Sequence, residues 1–340
     1  METLAKTPGV VGAIGGAYVD GKLAGRGTAG SRLLNGKGGP IPADSRFYIG
    51  SQTKAMVGTV LLQLVDKGKI GLDDKLADLV PEVAADGLVE RAGEITVQQL
   101  IQHTSGIPDW WSRPGSSAPA FDVFDFTTYF RPLDVVETTR GLPRTGEPGK
   151  KFAYSNTNYT ILGMIIERVT GRSLADALDR SLFRPLGMTR TYALTKPPQG
   201  IKGPHGHGYY PDSTGTLRDM HRANASLGFG AGNIVSTTRD VSAFQRAFTL
   251  GKLLPPPLQK ILGGGPRGGD GGGGAGQGTE SCEDDLNMQG GSGLGYTTLI
   301  LYSSDGRKQF EISVTRTVTD DSAIISAMGK AGQAVLCPAA

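Results

Sequence analysis

Only two cysteines and four histidines occur among the 340 residues, so at most one intrachain disulfide can form. The formal net charge is only +3, too small to argue for nucleic-acid binding, and no dense basic stripe appears. Long apolar runs are missing as well. None approaches the roughly 18 residues needed to span a bilayer. The first residues, Met1 to Gly12, lack the basic start and apolar stretch of a signal peptide. What remains, 38% hydrophobic and 20% charged residues, is the composition of a soluble globular protein long enough to bury a substantial core.

Ser51-Gln52-Thr53-Lys54 is the most informative stretch. It sets a hydroxyl and an amine three residues apart at the start of an apolar run, and one helical turn brings both onto the same face. A serine hydroxyl is a poor nucleophile at neutral pH, and a buried neighbouring lysine can take its proton. Alone, the pattern more often marks an N-cap serine beside a solvated lysine. Its context is more specific. Phe47-Tyr48-Ile49 reads as a short buried strand, Gly50 permits a tight entry, and Val57, Val60, Leu61, Leu64 and Val65 continue at helical spacing. The Ser51 backbone N–H then falls among the unpaired donors of a helix's first turn, where it can hold a developing oxyanion.

Tyr154-Ser155-Asn156 lies about a hundred residues downstream, between the turn-rich Gly146-Glu147-Pro148-Gly149 and a helical run from Tyr159 to Val169. A phenol can relay a proton, and an amide can hydrogen-bond both a lysine and a substrate carbonyl. An Asx turn capping the helix is the plainer reading of the tripeptide taken alone.

Taken together, these blocks resemble the serine penicillin-recognising enzymes, in particular the soluble D-alanyl-D-alanine carboxypeptidase and class C β-lactamase branch, with its related esterases and acyltransferases. The resemblance extends through Leu61 to Ile70, Ile95 to Gly106, Phe152 to Tyr159 and Gly230 to Thr237, and the order and spacing of the blocks carry it. It implies that Ser51 is the acylated nucleophile, Lys54 its proton acceptor and Tyr154 the general acid/base for the leaving group and the deacylating water. Asn156 would bind the substrate amide and help orient Lys54. No cofactor and no metal are implied; the expected partner is a small molecule or peptide, such as a D-amino-acid peptide, amide or ester, and the expected activity is DD-peptidase-like, with an esterase or acyltransferase, or a penicillin-binding sensor without turnover, as the alternatives. A monomer is expected.

The third family block departs from the pattern. Relatives carry Lys or His, then Thr or a small residue, then Gly, followed by a Gly-Tyr pair. Counting back from Gly295-Tyr296 places Gln289-Gly290-Gly291-Ser292 there. Gln289 can donate hydrogen bonds but supplies no positive charge for a substrate carboxylate. By resemblance, Gln289 and Gly290 would contact substrate, and the Ser292 N–H would complete the oxyanion hole with that of Ser51.

Other patterns are weaker. His103, in Gln102-His103-Thr104-Ser105-Gly106, belongs to a block that the family uses structurally. His205 and His207 sit in a Gly-rich loop and could pair on a metal, but no third ligand has suitable spacing, so a solvated loop is expected. Gly263-Gly264-Gly265-Pro266-Arg267-Gly268 fits the dinucleotide fingerprint only formally, since no strand precedes it. Trp110 and Trp111 either roof a substrate cleft or pack beneath it, and Leu227 and Phe229 could form an apolar wall or plain core.

Val10 to Ala29 alternates as two strands around Asp20-Gly21-Lys22, Tyr296 to Val318 as two more around Ser304-Asp305-Gly306-Arg307, and a last helix runs from Asp321 to Leu336. The expected architecture is therefore α/β, the β-lactamase/penicillin-binding-protein-like fold. Residues 1–50 and 280–340 would form an antiparallel sheet region flanked by helices, with 51–250 an inserted, mainly helical region and 263–278 a mobile glycine-rich loop. Relatives exported from the cell tie the places equivalent to Cys282 and Cys337 with a disulfide, which here would close a loop of about 55 residues and add roughly 4 kcal/mol. Two unpaired buried thiols in a cytosolic enzyme are the alternative. An extracytoplasmic, trimmed mature protein is expected.

Overall fold

The computed structural model describes residues 1–111, 120–263, 282 and 285–337. Both chain ends build one sheet, as expected. Strands β1 (Val10–Val19) and β2 (Lys22–Gly30) come from the start of the chain. Four short strands follow: β3 (Phe47–Tyr48), β4 (Tyr192–Ala193), β5 (Tyr209–Pro211) and β6 (Leu217–Asp219). After β7 (Ile234–Ser236), the end of the chain supplies β8 (Leu286–Gly293), β9 (Tyr296–Ser303) and β10 (Lys308–Arg316). The large sheet runs β2-β1-β10-β9-β8 and is antiparallel throughout.

This sheet is covered on both faces, so its central strands β9 and β10 are buried almost without interruption, polar positions such as Thr297 and Glu311 included. Alternate residues face opposite ways. Leu299, Leu301, Ile312 and Val314 pack with Ile324 and Met328 of the C-terminal helix Ser322–Leu336, while Ile300 joins Val241 and Phe244 of helix Thr238–Thr249. Gly16 lets the latter helix approach closely, since a Cβ there would lie 2.7 Å from Thr238 Oγ1.

In the inserted region the helices Thr53–Asp66 and Asn156–Thr170 share one core, with Val57, Leu61, Ile161 and Ile165 fully buried. The region also holds strands that a mainly helical reading of 51–250 omits. β7 pairs with both β3 and β4, and β5 with β6 forms a separate hairpin. β4, β5, β6 and β7 are two or three residues long, too short for alternation to announce them, and β7 finds its partners β3 and β4 far away in the chain. The glycine-rich stretch 263–278, its dinucleotide-like pattern and Arg267 lie outside the described residues, apart from Gly263, which ends helix Pro256–Gly263. Cys282 and Cys337 form a disulfide with Cα atoms 5.7 Å apart.

One sequence reading is corrected here. His205 and His207 do not sit in a plain solvated loop without a third partner. The β5–β6 hairpin folds back so that Asp219 and His221 meet His207, a juxtaposition that spacing along the chain conceals.

Candidate active site

Gly50, at φ +52°, turns the chain from β3 into a short 3₁₀ turn over Gly50–Gln52, and the α-helix begins at Thr53. Ser51 therefore stands on the bend itself. Ser51 Oγ lies 2.9 Å from the Tyr154 hydroxyl and accepts a hydrogen bond from Lys54 Nζ at 3.2 Å. Lys54 is buried, 6% exposed, and its other donations go to Asn156 Oδ1 (2.8 Å) and the Ala231 carbonyl (2.9 Å). Three acceptors thus face the three N–H bonds of an ammonium. An ammonium so placed has no lone pair with which to accept a further proton.

The phenol is held from behind. His103 stacks on Tyr154 with ring centroids 4.6 Å apart, and its Nδ1 accepts from the Ser155 N–H at 3.2 Å. Burial, reinforced by the Lys54 charge, lowers the His103 pKa to about 3, so the ring is neutral. Asn156 is fixed by Asp109, whose carboxylate accepts from its backbone N–H (3.0 Å) and its Nδ2 (3.1 Å). Burial raises the Asp109 pKa, against those hydrogen bonds and the Lys54 charge. Sequence reasoning missed Asp109 altogether, because nothing in Ile107-Pro108-Asp109 distinguishes it from an ordinary turn.

β8 lies against the Ser51 turn. A Cβ on Gly291 would collide with Ile49 O and sit 2.9 Å from Ser51 N, so only glycine permits this approach. Gln52 Nε2 donates to Gln289 O (3.2 Å) and Glu311 Oε2 (3.4 Å), tying the turn to the sheet.

A cavity of about 210 Å³ opens over Ser51, Tyr154 and Asn156. Trp110 and Leu227 both line it, with Trp110 buried and Trp111 beside it, so the aromatic pair forms wall rather than lid, whereas Phe229 packs into the core. Among the described residues, the lining contains no charged side chain. The third block reaches the cavity only through its far end, Ser292 and Gly293. Gln289 and Gly290 are not among the residues that line it. At about 3.3 Å per residue, Gln289 stands roughly 10 Å along the strand from Ser292. The Ser292 hydroxyl is itself engaged, donating to Asp321 Oδ2 at 2.6 Å, and Arg316 donates to Gly293 O at 2.9 Å from behind the strand.

The beta-lactamase family model matches residues 1–326. The chain belongs to that family of serine hydrolases. This beta-lactamase-family protein is 35% identical to penicillin-binding protein 4 of Amycolatopsis lactamdurans over 187 residues, covering 54% of this chain and 45% of that one. It is 30% identical to penicillin-binding protein 4* of Bacillus subtilis (strain 168) over 222 residues, covering 61% and 46%. The chain thus spans less than half the length of these curated relatives. Among solved structures, a D-stereospecific amidohydrolase from Streptomyces sp. superposes with a TM-score of 0.76 at 25% identity, covering 100% of this chain and 97% of that one. A penicillin-binding protein from Bacillus halodurans, with a TM-score of 0.74 and 18% identity over 97% and 99% of the two chains, shares the fold.

Proposed function

We propose that this protein is an acyl-enzyme serine hydrolase that acts on uncharged amides or esters of D-amino acids, more readily than on peptides ending in a free carboxylate. The observation that carries the reading is Ser51 Oγ held between Tyr154 (2.9 Å) and Lys54 (3.2 Å) at the base of an apolar, uncharged cavity. The Streptomyces amidohydrolase, alike over the whole chain, supports the substrate class.

In this reading Ser51 Oγ attacks the substrate carbonyl carbon, and its proton passes to the Lys54–Tyr154 pair. The oxyanion is received by the backbone N–H groups of Ser51 and Ser292. Tyr154, 46% exposed, protonates the departing amine or alcohol. Water then attacks the Ser51 ester, gives a proton to Tyr154 and releases the acid as Ser51 regains its own. Asn156, held by Asp109, fixes Lys54 and offers its amide to the substrate. The missing cation on the third block disfavours a terminal carboxylate, which would have to shed its water without a counter-charge. The Cys282–Cys337 disulfide supports residence outside the cytoplasm.

Steady-state assays on D- and L-phenylalanine p-nitroanilide and methyl ester, beside an acyl-D-Ala-D-Ala peptide, test this. A higher kcat/KM for the D-amide and D-ester than for the peptide is expected. The reverse order would favour a D-alanyl-D-alanine carboxypeptidase instead.

A further inference from the structure

Three of the four histidines in the chain gather at one place away from the nucleophile. The rings of His205, His207 and His221 are stacked, with centroids 4.8 Å apart for His205–His207 and 4.5 Å for His207–His221. Asp219 at the end of β6 closes the group. Its Oδ2 faces His207 Nδ1 at 2.6 Å, and its Oδ1 faces His221 Nδ1 at 3.0 Å. The three ligand-type atoms of His207, Asp219 and His221 all lie within 4.8 Å of one another.

From this geometry we propose that His207, Asp219 and His221 form a divalent transition-metal site of the zinc class, which fixes the β5–β6 hairpin behind the wall of the cavity. Two imidazoles and one carboxylate suit zinc and disfavour calcium or magnesium, which prefer all-oxygen shells. Donor atoms bonded at about 2.0–2.1 Å to a tetrahedral ion lie about 3.3 Å apart. The present contacts of 2.6 and 3.0 Å run to the two different oxygens of Asp219, and the three donor atoms lie within 4.8 Å of one another, so side-chain rotation has to bring them to that spacing. With side-chain exposures of 16% for His207, 32% for His221 and 36% for Asp219, an ion can enter while the ligands stay supported. His205 adds an independent sign. Its Nδ1 faces the Gly203 carbonyl at 2.7 Å, while its buried Nε2 has no hydrogen-bond partner among the described residues, leaving a bare imidazole nitrogen one ring away.

The site connects to the cavity through two tyrosines. Tyr48 donates to the His221 carbonyl (3.3 Å) and Tyr296 to the Gly206 carbonyl (3.1 Å). Both rings line the cavity and meet edge to face at 5.2 Å. An ion that clamps the backbone at 207 and 221 clamps the carbonyls that hold this wall, so its function is positional.

Tag-free, chelator-treated protein titrated with Zn²⁺, Co²⁺ and Mg²⁺ tests the proposal. One Zn²⁺ or Co²⁺ per chain, a raised Tm and no response to Mg²⁺ are expected. Asp219→Asn and His221→Gln should each weaken Zn²⁺ binding by about tenfold or more. A measurement on the unmutated chain guards against variants that fail to fold: Zn²⁺ should protect His207 and His221 from diethylpyrocarbonate, read by peptide mass spectrometry. No stoichiometric uptake, uptake without that protection, or equal affinity in the folded variants would each overturn the site.

Discussion

The imidazole of His103 stacks on the phenol of Tyr154, with ring centroids 4.6 Å apart and planes inclined by 26°. The ring is held neutral in the interior, where burial and the Lys54 charge lower its pKa from 6.5 to about 3. The folded protein therefore binds fewer protons than the unfolded chain between those values. The stability this contributes is complete above pH 6.5 and is lost progressively as pH falls toward 3, a loss on the order of 4 kcal/mol. Denaturant midpoints measured from pH 4 to 8 should fall more steeply for the wild type than for His103→Gln. Parallel curves would mean that His103 does not titrate as described.

Glu311 works in the opposite direction. It is fully buried beneath the Ser51 turn, its Oε1 has no partner among the described residues, and burial raises its pKa well above the carboxylate range despite the hydrogen bond from Gln52. A group held protonated in the fold stabilises fully below its unfolded pKa and loses that stability as pH rises toward its folded value. The stability advantage of Glu311→Gln over wild type should grow with pH above about 4.5, by up to about 1.4 kcal/mol per pH unit. An advantage that does not change with pH would show the carboxyl to be ionised in the fold.

Two adjacent glycines of β8 should respond differently. Gly291→Ala drives a methyl group into Ile49 O and against Ser51 N; displacement of the nucleophile turn should cost about 1–3 kcal/mol of stability and most of the hydrolytic rate. Gly290→Thr meets nothing closer than 3.6 Å at its Cβ and should leave folding intact. Melting curves and ester turnover for the pair check both statements, and equal losses would refute the contact argument.

Reduction of Cys282–Cys337, or Cys337→Ser, should lower stability by roughly 4 kcal/mol on the chain-entropy view of a 55-residue separation. Equilibrium unfolding with and without a reductant measures it. Ester turnover at low temperature should persist, since neither cysteine touches the cavity.

Local geometry decided what could be read from the chain. Ser51 and Lys54 are one helical turn apart, so their meeting is visible in the spacing. The strands of both chain ends alternate around recognisable turns, and the C-terminal helix follows within a few residues. Tyr154 and Asn156 stand out in the chain because they flank the start of the helix Asn156–Thr170 within an ordered set of blocks. By contrast, Asp109 reaches Asn156 across 47 residues, and the third acceptor of Lys54 is a backbone carbonyl, that of Ala231. Neither leaves a trace in residue type. β3 is readable as a strand, but its partner β7 lies nearly two hundred residues later, and the His207–Asp219–His221 group depends on a hairpin of three-residue strands. A motif position such as that of Gln289 does not tell how far along a strand a cavity reaches, and the lining here begins at Ser292.

The central claim, that Ser51 is acylated by way of Lys54 and Tyr154, is tested most directly by trapping the adduct. After incubation with a fluorophosphonate and, separately, with a slowly released p-nitrophenyl ester, intact-mass and peptide mass spectrometry should find one added group per chain, on Ser51. It should be absent in Ser51→Ala and form at least about a hundredfold more slowly in Lys54→Ala, as expected for the loss of a positioned acid/base group. Steady turnover by Ser51→Ala, or an adduct that maps to another residue, would contradict the account.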